Sequence, residues 1–390
     1  MSLSITQTPA SVSLAQSPLI FTTYENGAVI TSSSFQYTAD LFIWSGSSAS
    51  APTASNYTLV KFPNPSNVGI FDVSRIVNST LTDFLQATPS SARYYKILAN
   101  WQYKSGSTWV TGSVVTSSVY TAIDGYATFQ EPIGQVIYEK TPYWPLMTDG
   151  PVTQSAFIDN YGESGVYVGN TGTIIPTSVR YTTGDNNISD FTLTPASGSS
   201  TQNLILDYPI GPLQTDFPLP QIVGDWYSVQ AYSGSNPIGA SIRYEINCVQ
   251  KYPNVRIKWK NKYGQFDYFN FYGSSATTFG TAQKVYQPQI GSWTSSTLSY
   301  QKYETGIRNY TVDDNQTITV NTQFIPQDYN DIIKQLLVSD EIYWVYDEQD
   351  DLVRPLSIIN NNMRFKTGVV DKLIQYTFTF NFGQPYKLII

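Results

Sequence analysis

The chain contains no histidine. That removes Ser-His-Asp and Cys-His catalysis and every metal site that needs an imidazole. It contains one cysteine, Cys248, so an intrachain disulfide and a cysteine-cluster zinc site are both impossible. Within Tyr244-Glu245-Ile246-Asn247-Cys248-Val249, that cysteine reads as a small buried hydrophobe on a strand. Charge is scarce: Asp, Glu, Lys and Arg make up 13% of residues, with a net charge of −7. Phosphate backbones are held by basic stripes, and none is present, so no nucleic-acid partner is expected. No apolar run approaches 18 residues, so no helical membrane span is expected. Met1-Ser2-Leu3-Ser4-Ile5-Thr6 has neither a basic n-region nor a following apolar run. No signal peptide is expected there, and synthesis in the cytoplasm without export by that route follows. The Walker, G-x-G-x-x-G, H-E-x-x-H and G-x-S-x-G patterns are missing as well.

Aromatic residues are abundant: 30 Tyr, 19 Phe and 8 Trp in 390 residues. A tyrosine joins an apolar ring to a polar tip. It suits a surface buried against another protein or a sugar, and it is also a good strand former. The hydrophobic share, 41%, supports packed cores, and the length suggests two or three domains.

The pattern is that of a mainly β protein, with antiparallel β-sandwich domains and a C-terminal α+β unit carrying one clear amphipathic helix. Residues 1–125 form the first expected sandwich. Its strands are Pro18–Tyr24, Phe35–Trp44, Tyr57–Phe62, Arg93–Lys104 and a return strand from Thr108 to Tyr120. A short helix is expected from Asp72, a good N-cap, through Leu81 to Phe84 and Leu85. Residues 126–152 are a connector rich in Pro and Gly. The Asp124-Gly125 and Asp149-Gly150 pairs mark its ends, and its apolar run Tyr143-Trp144-Pro145-Leu146-Met147 must pack on something. Residues 153–273 form a second sandwich.

Closing that second unit is the stretch around which the chain is organised, Val255 to Tyr272. Val255, Ile257 and Trp259 alternate with Arg256, Lys258 and Lys260, a half-buried strand by its period of two. Asn261-Lys262-Tyr263-Gly264 is a short polar loop whose glycine tolerates a positive φ. Gln265-Phe266-Asp267-Tyr268-Phe269-Asn270-Phe271-Tyr272 is aromatic on both faces and reads as a strand buried on both sides. Residues 274–390 form the last unit. Strands are expected at Thr297–Tyr303 and Ile307–Val312, with a turn at Asp313-Asp314-Asn315 into Thr317–Val320. The helix starts at Pro326 and places Tyr329, Ile332, Ile333, Leu336 and Leu337 on one face. Along the last strand, Tyr376, Phe378, Phe380 and Phe382 share a face.

No catalytic, cofactor-binding or metal-ligating set emerges, and no cofactor is expected. Asp340-Glu341 with Asp347-Glu348-Gln349-Asp350-Asp351 is acidic enough for calcium, but the spacing is not that of an EF-hand loop, and a solvated hairpin tip is the better reading. Two carboxylates can cleave a glycosidic bond without histidine, yet no pattern brings two of them to the required separation. Tyr143, Trp144 and Trp293 are candidate interface residues, suited to a subunit contact or to a sugar.

The hairpin resembles one found in structural proteins of tailed bacteriophages, of the Bacteroidetes-phage type. The resemblance is carried by Trp259, Asn261 and Gly264 in Trp-x-Asn-x-x-Gly, and by Phe266-Asp267-Tyr268-Phe269-Asn270-Phe271. The blocks Phe71-Asp72-Val73-Ser74-Arg75-Ile76, Phe365-Lys366-Thr367 and Asp371-Lys372-Leu373-Ile374-Gln375-Tyr376 are similar to the same group. What the resemblance implies is a virion component of the tail, neck or collar, with other virion proteins and copies of itself as partners. It transfers no catalytic residue. The expectation is a non-enzymatic structural protein assembling through Tyr-rich subunit interfaces. The alternatives are a receptor- or glycan-binding tail attachment protein and a glycan depolymerase.

Overall fold

In the computed structural model the described residues are 2–81, 92–131, 141–169, 175–193, 204–219, 226–247, 251–294, 296–304, 306–345, 353–359, 362–365, 373–384 and 386. The protein is mainly β, with several antiparallel sheets. Cys248, Phe84, Leu85, the acidic run Asp347–Asp351, and Lys366, Thr367, Asp371 and Lys372 lie outside the described residues.

The chain divides into two compact units. The first holds residues 1–248 together with the hairpin tip 260–267 and the helix segment 331–336. The second holds 249–259, 268–330 and 337–390. Residues 1–125, the connector and residues 153–248 therefore share one unit. The connector does not separate domains, because its apolar residues Tyr143, Leu146 and Met147 are buried.

Within the first unit, Leu3–Gln7, Ile20–Glu25 and Val68–Asp72 form a three-stranded antiparallel sheet. A larger sheet runs Val12–Leu14, Tyr120–Ile123, Ala92–Ser105, Gln36–Trp44, Tyr57–Lys61. The two share one core, in which Leu3, Phe21 and Phe71 of the small sheet meet Tyr37, Leu41, Tyr95 and Ile97 of the large one. Phe21 packs edge-on against Tyr95 and Tyr120, at 6.2 and 5.5 Å between ring centroids. The larger sheet includes a parallel pair, Val12–Leu14 beside Tyr120–Ile123. The return strand after Ser105-Gly106 is broken into Thr108–Thr111, Val115–Thr116 and Tyr120–Ile123. The helix is shorter than its spacing suggests, Ser74–Asn78. Asp72 does work at its start: its Oδ1 accepts the Ser74 and Leu19 amides at 3.0 and 3.2 Å.

Residues 153–247 carry a five-stranded sheet in the order Thr153–Ala156, Asn236–Ile246, Trp226–Ser233, Ser178–Thr183, Ile188–Thr192, with Glu163–Tyr167 and Ile205–Pro209 paired beside it. Tyrosine fills this core. Tyr181, Tyr208 and Tyr227 are fully buried. Their hydroxyls must find acceptors there; Tyr181 and Tyr227 donate to the carbonyls of Pro209 and Ile210.

The second unit is built on a seven-stranded sheet, ordered Phe266–Phe271, Val255–Lys260, Ile342–Val345, Val353–Ile358, Thr377–Phe382, Arg308–Asn321, Ser275–Tyr286. The hairpin thus does not close the second sandwich. Arg256 to Trp259 pair antiparallel with Val345 to Ile342, a partner some 80 residues downstream. Nor is the first arm half-solvated: Arg256 and Lys260 are buried along with Val255, Ile257 and Trp259. Arg256 lies over the Tyr268 ring and donates to Asn270 Oδ1 at 3.0 Å, which is how a cation tolerates burial here. The last strand, Thr377–Phe382, buries Phe378, Phe380 and Phe382, and Tyr376, just before it, is buried too. The C-terminal helix, Asn330–Val338 after a 3-10 turn at Gln327–Tyr329, buries Ile332, Ile333 and Leu336.

Two expectations fail in the stretch before that helix. Asp313-Asp314-Asn315 is no turn; it sits inside one continuous strand, Arg308–Asn321. Its partner, Ser275–Tyr286, has no buried face, so it lacks the alternation that marks a strand in sequence. On an exposed ribbon, Asp and Asn pay no desolvation penalty and the ladder decides the conformation. Thr297–Tyr303 is not a strand either; it lies between the two, where the described residues of 287–307 hold no strand.

Candidate functional site

Two places gather the residues singled out from sequence. The first is the hairpin tip, which belongs to the first unit. Asn261 organises it. Its Oδ1 accepts the amides of Tyr263 (2.9 Å) and Gln265 (3.1 Å), and its Nδ2 donates to the Met147 carbonyl at 2.9 Å. The main chain closes the turn, with Asn261 N donating to Gln265 O at 2.7 Å and Gly264 N to Asn261 O at 3.0 Å. Gly264 has φ +74°, and a Cβ there would stand 2.6 Å from the Asp124 carbonyl oxygen. The Trp-x-Asn-x-x-Gly spacing thus has a local cause. The asparagine satisfies buried amides of the turn, and the glycine permits both the backbone angle and the close approach.

Around the turn lies a buried set of charges that sequence did not pair. Lys260 meets Asp124 at 2.5 Å. Lys262 meets Asp149 at 2.7 Å and Glu131 at 3.3 Å. Asp149 also accepts from the Tyr263 hydroxyl (2.6 Å) and from Gln335 Nε2 (3.0 Å), while Gln335 Oε1 accepts the Lys262 amide. Thr148 Oγ1 donates to Asp267 at 2.7 Å. Burial pushes the Asp267 carboxyl up to about 7, against the hydrogen bonds from Thr148 and Asn261. Burial and then the Asp149 charge raise the Tyr263 phenol far above its ordinary value. Burial works to raise the Glu131 carboxyl too, but the Thr128 amide and the Lys262 ammonium outweigh it and hold the group below the usual range. The two Asp-Gly pairs carry a signal, which sequence reads as the ends of a connector. They place Asp124 and Asp149 against the tip, more than 100 residues from their partners. The carboxylates of Asp124, Glu131 and Asp149 are occupied by cations and donors, an arrangement that fastens a turn. Among the described residues, no group of three or more His, Cys, Asp or Glu side chains is placed to hold a metal.

The candidate interface residues divide. Tyr143 is buried, and Trp144 packs against the cluster of Val12, Leu14, Ala92, Ile123, Met147, Tyr167 and Tyr263. Both belong to the core of the first unit, because the connector needs its own apolar anchor. Trp293 is 64% exposed, with its indole N–H donating to the Ile290 carbonyl at 2.8 Å. The other hairpin residues, Trp259, Phe266, Phe269 and Phe271, are buried, and Tyr268 is half-buried.

Trp293 marks the second place. Ser275–Tyr286 and Arg308–Asn321 form an antiparallel ribbon in register from Ser275 opposite Val320 to Tyr286 opposite Arg308. Along this arm and its loop, Phe279, Val285, Tyr286, Trp293, Leu298, Tyr300, Tyr303, Ile307 and Tyr310 are all exposed, Tyr303 at 83%. Single exposed apolar residues are ordinary, but so many along one segment are not, and concentrations of apolar exposure are where contact surfaces occur. Apart from Trp293, sequence did not single them out, since they follow no period.

No protein-family model matches the chain, and no curated protein does. Among solved structures it is similar to a chimeric titin Z1Z2 functionalized with a KLER exogenous peptide from decorin. The identity is 12%, the match covers 64% of this chain and 100% of that chain, and the TM-score is 0.16. A likeness at that score carries no argument. No helix among the described residues is long and apolar enough to cross a membrane.

Proposed function

We propose that this chain is a non-enzymatic structural subunit that assembles with copies of itself and with other proteins of a particle. Following the resemblance of its hairpin, that particle is a bacteriophage virion and the place is the tail, neck or collar. One observation carries the assembly reading: the concentration of exposed Trp, Tyr, Phe and aliphatic side chains on the arm 275–321. Such a surface is costly to leave in water and gains most when a partner covers it. Aromatic residues of this kind dominate the energetics of protein contacts.

The test is the mass of the purified chain by light scattering and by single-particle imaging, with and without the loop 287–307. A defined multimer that shifts to monomer on loop deletion is the expected result. A monomer at every concentration, together with absence of the chain from purified particles by mass spectrometry, sinks the proposal. A second reading, attachment to a host glycan, is favoured by Trp293, Tyr300 and Tyr303, whose exposed rings suit stacking on sugar faces. Glycan-array binding lost in Trp293→Ala, with the multimer intact, supports that reading over the first.

A further inference from the structure

Ser275–Tyr286 ends the seven-stranded sheet. Arg308–Asn321 pairs with one side of it, and among the described residues no strand pairs with the other. Every residue along it is exposed. An edge of this kind offers a row of unpaired N–H and C=O groups, and proteins guard such edges with proline, charge, bulges or short length. This strand runs 12 residues with no proline and one charge, Lys284. Its single register shift, between Lys284 and Val285, falls at the loop end and leaves the rest regular.

We propose that Ser275–Tyr286 is where a second copy of this chain docks, by antiparallel pairing of the two edges about a two-fold axis normal to the sheet. The inference rests on the assembly reading above and names its partner. Area favours a copy. The six exposed aromatic rings of the arm and its loop, 45% to 83% accessible, offer roughly 800 Å² per chain at about 200 Å² a ring. That is the share one partner buries in a standard interface.

Symmetry and charge favour it too. A two-fold axis normal to a sheet preserves both faces, so symmetric registers centre on a residue, and each side chain meets one from the same face. Centred on Gly280, Thr281 or Ala282, the register sets Lys284 opposite Ala276, Thr278 or Gly280 of the other copy, all neutral. Like charges never face each other. Centred on Ala282, it also sets Phe279 opposite Val285, an aromatic against a β-branched residue. Each loop is then carried past Ser275 of the other copy, so the exposed rings of its tip lie over the base of that copy's arm.

The test uses the full chain in a Cys248→Ser background whose oligomeric state is first matched to wild type by light scattering, with single cysteines placed by Gly280→Cys, Thr281→Cys or Ala282→Cys. Directly opposed residues of an antiparallel pair lie at Cα separations a disulfide can bridge. One of the three is expected to oxidise to a covalent dimer on a non-reducing gel. In parallel, lysine at the position that cross-links, one of Gly280→Lys, Thr281→Lys and Ala282→Lys, meets its own copy across the axis. At that exposed position it should leave the melting temperature unchanged and weaken self-association by about tenfold or more. A cross-link with no such weakening, or no cross-link at any of the three, overturns the proposal. If the multimer persists in all three lysine variants and no cysteine cross-links, edge pairing falls while assembly stands. A wild-type chain that is monomeric at every concentration ends both.

Discussion

Asn261→Ala should be among the most destabilising single changes in the first unit. Asn261 is 1% exposed. Removing its amide orphans the Tyr263 and Gln265 N–H groups and the Met147 carbonyl, three polar groups in a closed turn. Each buried group left unpaired costs about 1–3 kcal/mol. Partial relaxation of the turn brings the sum to about 3–5 kcal/mol. With a urea slope of roughly 3 kcal/mol/M for a chain of this size, the midpoint falls by about 1 M or more. Tryptophan fluorescence follows the transition, since Trp144 of the same unit packs against the cluster that holds Tyr263 of the turn. Hydrogen exchange supplies a local readout: amides of the turn should lose protection before the rest of the unit. Thr277→Ala, on the exposed arm, is the control and should move the midpoint within the ordinary surface range of about 0.5 kcal/mol. If Asn261→Ala behaves like that control, Asn261 does not hold the hairpin tip.

Other changes probe the same region. Gly264→Ala must place a Cβ 2.6 Å from the Asp124 carbonyl oxygen at φ +74°. A cost of about 1–2 kcal/mol from the backbone angle alone, with more from the clash, should appear as a lowered thermal midpoint. Lys262→Met leaves Asp149 and Glu131 without their shared cation. A loss of about 2–4 kcal/mol is expected by urea titration, somewhat below that of a fully buried pair because the carboxylates keep some solvent. The pH dependence has a definite sign. Asp267 titrates near 7 in the folded chain, for reasons of burial first, and near 4 when unfolded. Between those values the folded state binds the extra proton, so this contribution is fully present below about pH 4 and is lost as the pH rises through about 7. Asp207, half-buried and raised to about 7 by desolvation and then by the Glu163 charge, acts in the same direction. Asp267→Asn should therefore be more stable than wild type at pH 8, by on the order of 4 kcal/mol, and by only about 1–2 kcal/mol at pH 5. Equal urea-midpoint differences at the two pH values would refute the assignment.

Much of the fold is legible along the chain because its strands either alternate or are buried on both faces. Gln36–Trp44, Ala92–Ser105 and Thr377–Phe382 sit where the period of two places them. The turn at 261–264 is legible because its asparagine and glycine act within five residues. Pairing is a different matter. Nothing local in Arg256–Trp259 distinguishes a neighbour at 342–345 from one at 241–247, since both offer a ladder and an apolar face to pair with. Ser275–Tyr286 was invisible for the opposite reason: with no buried face it has no hydrophobic period to read.

The chain by itself determined the β class, the hairpin and its polar turn. It also excluded histidine, disulfide and cysteine-cluster chemistry, because composition and nearest-neighbour geometry are local facts. Only the tertiary structure decided that Asp124, Glu131, Asp149 and Gln335 gather on that turn, that Tyr143 and Trp144 lie inside, and that Trp293 and the arm lie outside. Burial is a property of what folds back from far along the chain, and a low-charge, aromatic segment reads the same in sequence whether a core or water surrounds it.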